Sequence, residues 1–106
     1  MAVTKLHNVD GTSSVTAVEL VAPGQEVSIK SILISNVRSS NNATIKLFIQ
    51  NDPTSGSTST FIILTNTVIP PGTSLLLDDT SMINFSELFG LYITPDSNTI
   101  VDVFIN

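Results

Sequence analysis

The residue types able to do chemistry are few: His7, the pair Asp78-Asp79, and the separate acids Asp10 and Asp102. His7 is the sole histidine. As a general base it would need an acid to hold it and a nucleophile within reach. No serine stands in the Gly-x-Ser-x-Gly elbow that exposes such a nucleophile, so His7 reads as a surface or strand-edge residue. Asp78-Asp79 offers two carboxylates to a hard cation such as Ca²⁺. Calcium loops of the EF-hand kind alternate their oxygen ligands and close on a Glu. Adjacent residues of an extended chain point to opposite faces, and no third acid follows the pair before Glu87. The pair therefore reads as a loop or strand end. Asp10-Gly11 reads as a tight turn, and Asp102, between Val101 and Val103, as a strand residue facing solvent or a neighbouring subunit. Glycoside hydrolysis needs two carboxylates across a cleft, for which 106 residues with five Phe and one Tyr leave little room. No catalytic residue, cofactor or metal is assigned. The expectation is a protein that is not an enzyme.

Composition narrows the partners. Lys plus Arg total 4 against 9 Asp plus Glu, a net charge of −5. Nucleic-acid binding neutralises phosphates with cationic side chains, and Lys5, Lys30, Arg38 and Lys46 are too few and too scattered to form a basic patch. The same deficit argues against anionic membranes, so neither nucleic acid nor membrane is expected. Polarity resides instead in 14 Ser, 13 Thr and 9 Asn. The chain has no Cys, which excludes a disulfide scaffold and thiolate chemistry. Its first residues lack the basic segment and apolar run of a signal peptide, which reads as synthesis in the cytoplasm without secretion. The sequons at Asn42 and Asn84 read as accidents of a chain rich in Asn, Ser and Thr.

The elements that must position these residues are strands. In Thr44–Gln50, Ile45, Leu47 and Ile49 share one face, and Thr44, Lys46 and Gln50 the other, the period of a half-buried strand. Val101, Val103 and Ile105 are likewise in phase. Val15–Leu20 alternates more weakly and suits an edge. Across Glu26–Asn36 the apolar phase slips at Ser31, as one extra residue in a β-bulge would make it. Phe61-Ile62-Ile63-Leu64, within Thr60–Ile69, is apolar on both faces and reads as a central strand. Leu75 with Leu77, and Leu91-Tyr92-Ile93, complete the set.

Turn chemistry separates these runs. Pro23-Gly24 and Pro71-Gly72 pair a fixed φ with a residue that accepts positive φ. The two surrounding segments, Val21–Val27 and Ile69–Leu75, share one form, which reads as a common corner rather than as a repeat. Ser39–Asn42, Asn51–Thr60 and Pro95–Asn98 are polar loops, and residues 81–89 allow at most one helical turn. About seven or eight short strands with turns every 8–12 residues imply one antiparallel β-sandwich, Ig-like or jelly-roll-like, over residues 1–106. Residues 1–25 are read as edge strands or as an N-terminal arm.

The segments Ser31–Asn36, Ala43–Ile49, Phe61–Leu64, Val68–Leu75 and Val101–Ile105 together resemble the pattern of small one-domain β-sandwich virion proteins of tailed bacteriophages. The resemblance covers residues 26–106 and is carried by strand-and-turn grammar. It implies a capsid decoration, neck or tail accessory component located in the virion. Its partners would be major capsid, neck or tail proteins, and it would be an oligomer in the particle. No catalytic residues come with it. Such a protein works by static association, for which Ser, Thr and Asn provide neutral hydrogen-bonding surface without buried charge. Alternation sends Leu33, Phe48 and Phe104 outward, making them the candidate interface anchors. Carbohydrate-binding and adhesin-type modules share the sandwich architecture and form the alternative. The first usually presents several exposed aromatics, and the second is exported.

Overall fold

Strand alternation determines which side chains face inward, and the strand order determines what they meet. The computed structural model describes residues 5–24, 28–51, 59–86 and 88–106. Among these residues eight strands run in chain order: β1 (Lys5–Asp10), β2 (Val18–Val21), β3 (Ile32–Asn36), β4 (Ala43–Asn51), β5 (Thr60–Ile69), β6 (Ser74–Leu77), β7 (Phe89–Pro95) and β8 (Ile100–Ile105). One helical turn, α1 (Thr80–Ile83), precedes β7. The strands form two four-stranded antiparallel sheets, ordered β1-β8-β3-β6 and β2-β7-β4-β5. Thus β1 pairs with β8, β2 with β7, β3 with β6 and β4 with β5. That nesting is a long hairpin rolled on itself, the jelly roll. The Ig-like expectation is corrected here, because an Ig sandwich divides its strands differently between the sheets.

The inner faces fill the core. Ile45 and Leu47 of β4, Ile32 and Ile34 of β3, Val101, Val103 and Ile105 of β8, and Leu91 and Ile93 of β7 are all buried. Ile49, the third expected inward residue of β4, is half-buried. The phase slip at Ser31 is visible in the hydrogen bonds: Lys30 N–H and Ser31 N–H both donate to the Asn106 carbonyl. Two donors against one acceptor is the count of a bulge. Ile29 and Ile32 are both buried as a result, although regular strand begins only at Ile32. Residues 26 and 27 of the expected strand lie outside the described residues.

Thr60–Ile69 corrects the expectation of a central strand. As β5 it lies at the edge of its sheet. Its register with β4 shifts twice: Ile45 faces Thr67, Leu47 faces Leu64, and Phe48 faces Ile62. Two extra residues on β5 account for both shifts, one of them near Asn66, whose φ is 46°. Asparagine tolerates that left-handed conformation better than most residues. Each bulge inverts the inward phase, so consecutive apolar residues do not here signify burial on two faces. Phe61, Ile62 and Val68 remain exposed. Bulges and twisted edges also discourage accidental strand addition.

Both Pro-Gly corners carry the chain from the second sheet to the first, after β2 and after β5. Gly24 has φ 89° and Gly72 φ 69°, as such corners require. Gly11 is needed for another reason: a Cβ there would lie 1.8 Å from the Asp96 carbonyl oxygen. In the N-terminal segment, β1 and β2 are edge strands of opposite sheets. His7 Nε2 lies 3.1 Å from the Leu20 carbonyl oxygen. Since a carbonyl only accepts, the ring N–H donates, and β1 is stitched to β2.

Candidate functional site

The outer face of the first sheet brings two of the three anchor candidates together. Cross-strand register places Leu6 opposite Phe104, Phe104 opposite Leu33, and Leu33 opposite Leu76. One apolar row therefore crosses all four strands. Leu6 is 66% exposed and Leu76 54%, and they form the two ends. Phe104 and Leu33 lie half-buried between them. Alternation alone dictates this: the neighbours of Leu33 and Phe104 along their strands, Ile32, Ile34, Val103 and Ile105, all point into the core.

Beside this row runs a polar one. Asn8 faces Asp102, Asp102 faces Ser35, and Ser35 faces Ser74. Asn8 Nδ2 donates to Asp102 Oδ1 at 2.8 Å, and the Ser35 and Ser74 hydroxyls are 2.8 Å apart. Asp102, half-buried, thus lies on the outer side of the sheet, the side expected to meet solvent or a neighbouring subunit. A groove of about 250 Å³ lies at the β1–β8 end of the face, lined by Leu6, His7, Asn8, Asp102, Val103 and Phe104.

Phe48 needs correction as an exposed anchor. It lies on the outer side of the second sheet but is only 7% exposed. Tyr92 stacks on it at 5.6 Å between ring centroids, and Lys46 Nζ lies 5.4 Å from its ring. Ile62 is its cross-strand neighbour on the other side. The outward direction was legible from alternation. The cover supplied by Tyr92 was not, because the sequence does not say which strands become neighbours.

Two of the acidic candidates, Asp79 and Asp10, close local turns. Asp79 caps α1, accepting from Ser81 N at 3.0 Å and from the Ser81 hydroxyl at 2.6 Å. Those bonds, the hydroxyl's first, hold its carboxyl below the usual value. Asp10 accepts from the hydroxyl and N–H of Thr12. The Thr12 hydroxyl is the main reason its carboxyl is also held low. Both are one-residue turns closed by local donors. Among the described residues no three His, Asp or Glu side chains converge to hold a metal ion. We expect the melting temperature to be the same in about 10 mM CaCl₂ as in EDTA, since calcium requires six to eight oxygens. A rise of several degrees, abolished by Asp78→Ala, would assign a calcium site to this corner.

Sequence reasoning missed two buried polar residues that hold the end of the sandwich where this face stops. Thr99 is fully buried. Its hydroxyl accepts from Thr44 N at 2.8 Å and lies 2.8 Å from Asp96 Oδ1, to which it can donate. Asn36, 3% exposed, donates from Nδ2 to the Asn41 and Ile69 carbonyls and accepts at Oδ1 from Arg38 N–H. Asn84, in the sequon read as accidental, exchanges two hydrogen bonds with the Ile29 backbone, at 2.9 and 3.0 Å. Its amide there imitates a strand partner. The only sequence signal for the first two was their position beside turns.

No helix among the described residues is long and apolar enough to cross a membrane. No protein-family model, no curated protein and no solved structure matches the chain.

Proposed function

We propose that this protein is a non-enzymatic structural component of a bacteriophage virion, a capsid decoration or a neck or tail accessory, acting by static protein–protein association. The observation that carries the reading is the apolar row Leu6–Phe104–Leu33–Leu76 on an open sheet face. Apolar side chains aligned across a rigid sheet suit docking: they lose little entropy on contact and release water from a continuous surface. The jelly roll is compatible with this role, being used by viral capsid proteins as well as by lectins and cupins. Fold analogy alone selects none of them; what supports the docking reading is the apolar row. Sugar stacking calls for several open aromatic faces, whereas Tyr92 lies against Phe48, exposed Phe61 meets Phe89 edge to face, and Phe104 is half-buried within the row.

The test is biochemical. The protein should co-purify with intact, washed particles at a fixed stoichiometry. Raising the salt to about 1 M should weaken its attachment only slightly, because screening erodes chiefly exposed ion pairs. Absence from washed particles would overturn the virion reading. Release at moderate salt would overturn apolar docking in favour of an electrostatic contact.

A further inference from the structure

The same sheet face carries both halves of a contact with itself. Leu76, on the edge strand β6, is the exposed knob at one end of the apolar row. The groove beside Leu6 and Phe104 is the hollow at the other end. We propose that two copies of this chain pack through the outer faces of their β1-β8-β3-β6 sheets, related by a two-fold axis parallel to the strands. Leu76 of each copy then sits in the groove of the other. The inference goes beyond the virion role and uses the same row, so a second copy and a virion partner compete for it; the dimer is tested on the purified protein alone.

Geometry selects that axis. Rotation about the strand direction reverses the order of strands, so β6 of one copy lies over β1 of the other, and β3 over β8. Leu76 meets Leu6, and Leu33 meets Phe104, the whole length of the row. Four strands spaced about 4.8 Å apart make that row about 14 Å long. The polar row follows the same rule. Asn8 comes opposite Ser74, and Asp102 opposite Ser35, so that carboxylate faces a hydroxyl and not its own copy. Like charges placed face to face would oppose the contact, and this arrangement keeps the two Asp102 apart. Because the contact is isologous, each named pair occurs twice.

Size and charge fix the strength. One apolar row is smaller than the roughly 800 Å² per partner of a standard stable interface, so the dimer is weak and concentration-dependent. Each copy carries a net charge of −5, and mutual repulsion opposes association until salt screens it. Self-association therefore tightens as salt is raised. Docking of a basic partner would loosen instead.

Analytical ultracentrifugation of the purified protein between about 10 µM and 1 mM tests this, with the concentration range set by the weak-interface expectation. The weight-average mass should climb from 11.3 kDa towards twice that value, and should climb further at higher salt. Leu76→Asp and Leu6→Ser should each weaken the dimer at least about tenfold, because each removes an exposed apolar anchor whose contact occurs twice in the dimer. Val68→Asp, on the outer side of the other sheet, should leave it unchanged. All three positions are exposed, and far-UV circular dichroism checks that the variants fold. A monomer throughout the range, a dimer indifferent to Leu76→Asp and Leu6→Ser, or one broken by Val68→Asp would overturn the proposal.

Discussion

Leu47→Ala is expected to lower the unfolding free energy by about 2–5 kcal/mol, a large part of the roughly 5–15 kcal/mol of an ordinary domain. Leu47 is 0% exposed and lies in β4, an interior strand of its sheet. It faces Ile93 across β7 and Leu64 across β5, and belongs to the buried cluster shared by both sheets. Truncation removes transfer free energy and leaves a cavity that paired strands on either side cannot collapse to fill. Urea unfolding should show a lower midpoint with an unchanged slope. Ile62→Ala, at a 53% exposed position of the adjacent edge strand, should cost well under half as much. A Leu47→Ala loss below about 0.5 kcal/mol, the scale of ordinary surface changes, would show that Leu47 does not occupy the core.

The contrast between those two residues also shows what was legible beforehand. Leu47 could be placed because alternation with Thr44, Lys46 and Gln50 is a local signal, and β8 could be read in the same way. Ile62 could not. The bulges of β5 depend on its pairing with β4, and a run of four apolar residues looks the same in an interior strand as in a bulged edge. Strand order is likewise set by which distant segments pair, so alternation gave a sandwich without choosing between jelly-roll and Ig-like forms. At the candidate surface, the directions of Leu33 and Phe104 were readable, but their alignment with Leu6 and Leu76 required the registers of three strand pairs. Asn36 was hidden by composition: in a chain with 9 Asn, 14 Ser and 13 Thr, a structural amide looks like any solvated one.

Asn36→Asp should convert that hidden amide into a pH-dependent defect. Asn36 is 3% exposed, and its Nδ2 donates at 2.8 Å to the Asn41 carbonyl and at 2.9 Å to the Ile69 carbonyl. A carboxylate has no donor for either, so its second oxygen would face two carbonyl oxygens in a site closed to water. Arg38, two residues on, directs its Nη1 to the Asn98 carbonyl. Burial and opposed dipoles both disfavour the charged form, and the folded-state pKa rises above the unfolded value of about 3.9. Below that pH both states are protonated, the neutral acid donates to one carbonyl, and the variant lacks little more than one hydrogen bond, about 1 kcal/mol. As the pH rises further the unfolded chain ionises first, so the stability deficit grows by about 1.4 kcal/mol per pH unit until the folded-state pKa is passed. A buried carboxyl raised by about three units would then cost about 4 kcal/mol at neutral pH. Asn36→Leu, which orphans the same carbonyls without adding a titrating group, should be destabilised equally at both ends of the range. Urea midpoints at about pH 4 and pH 7, each taken relative to the unsubstituted protein, measure the difference. A pH-independent offset for Asn36→Asp would mean that water reaches the end of β3, and that the amide is not what joins β3 to the end of β5.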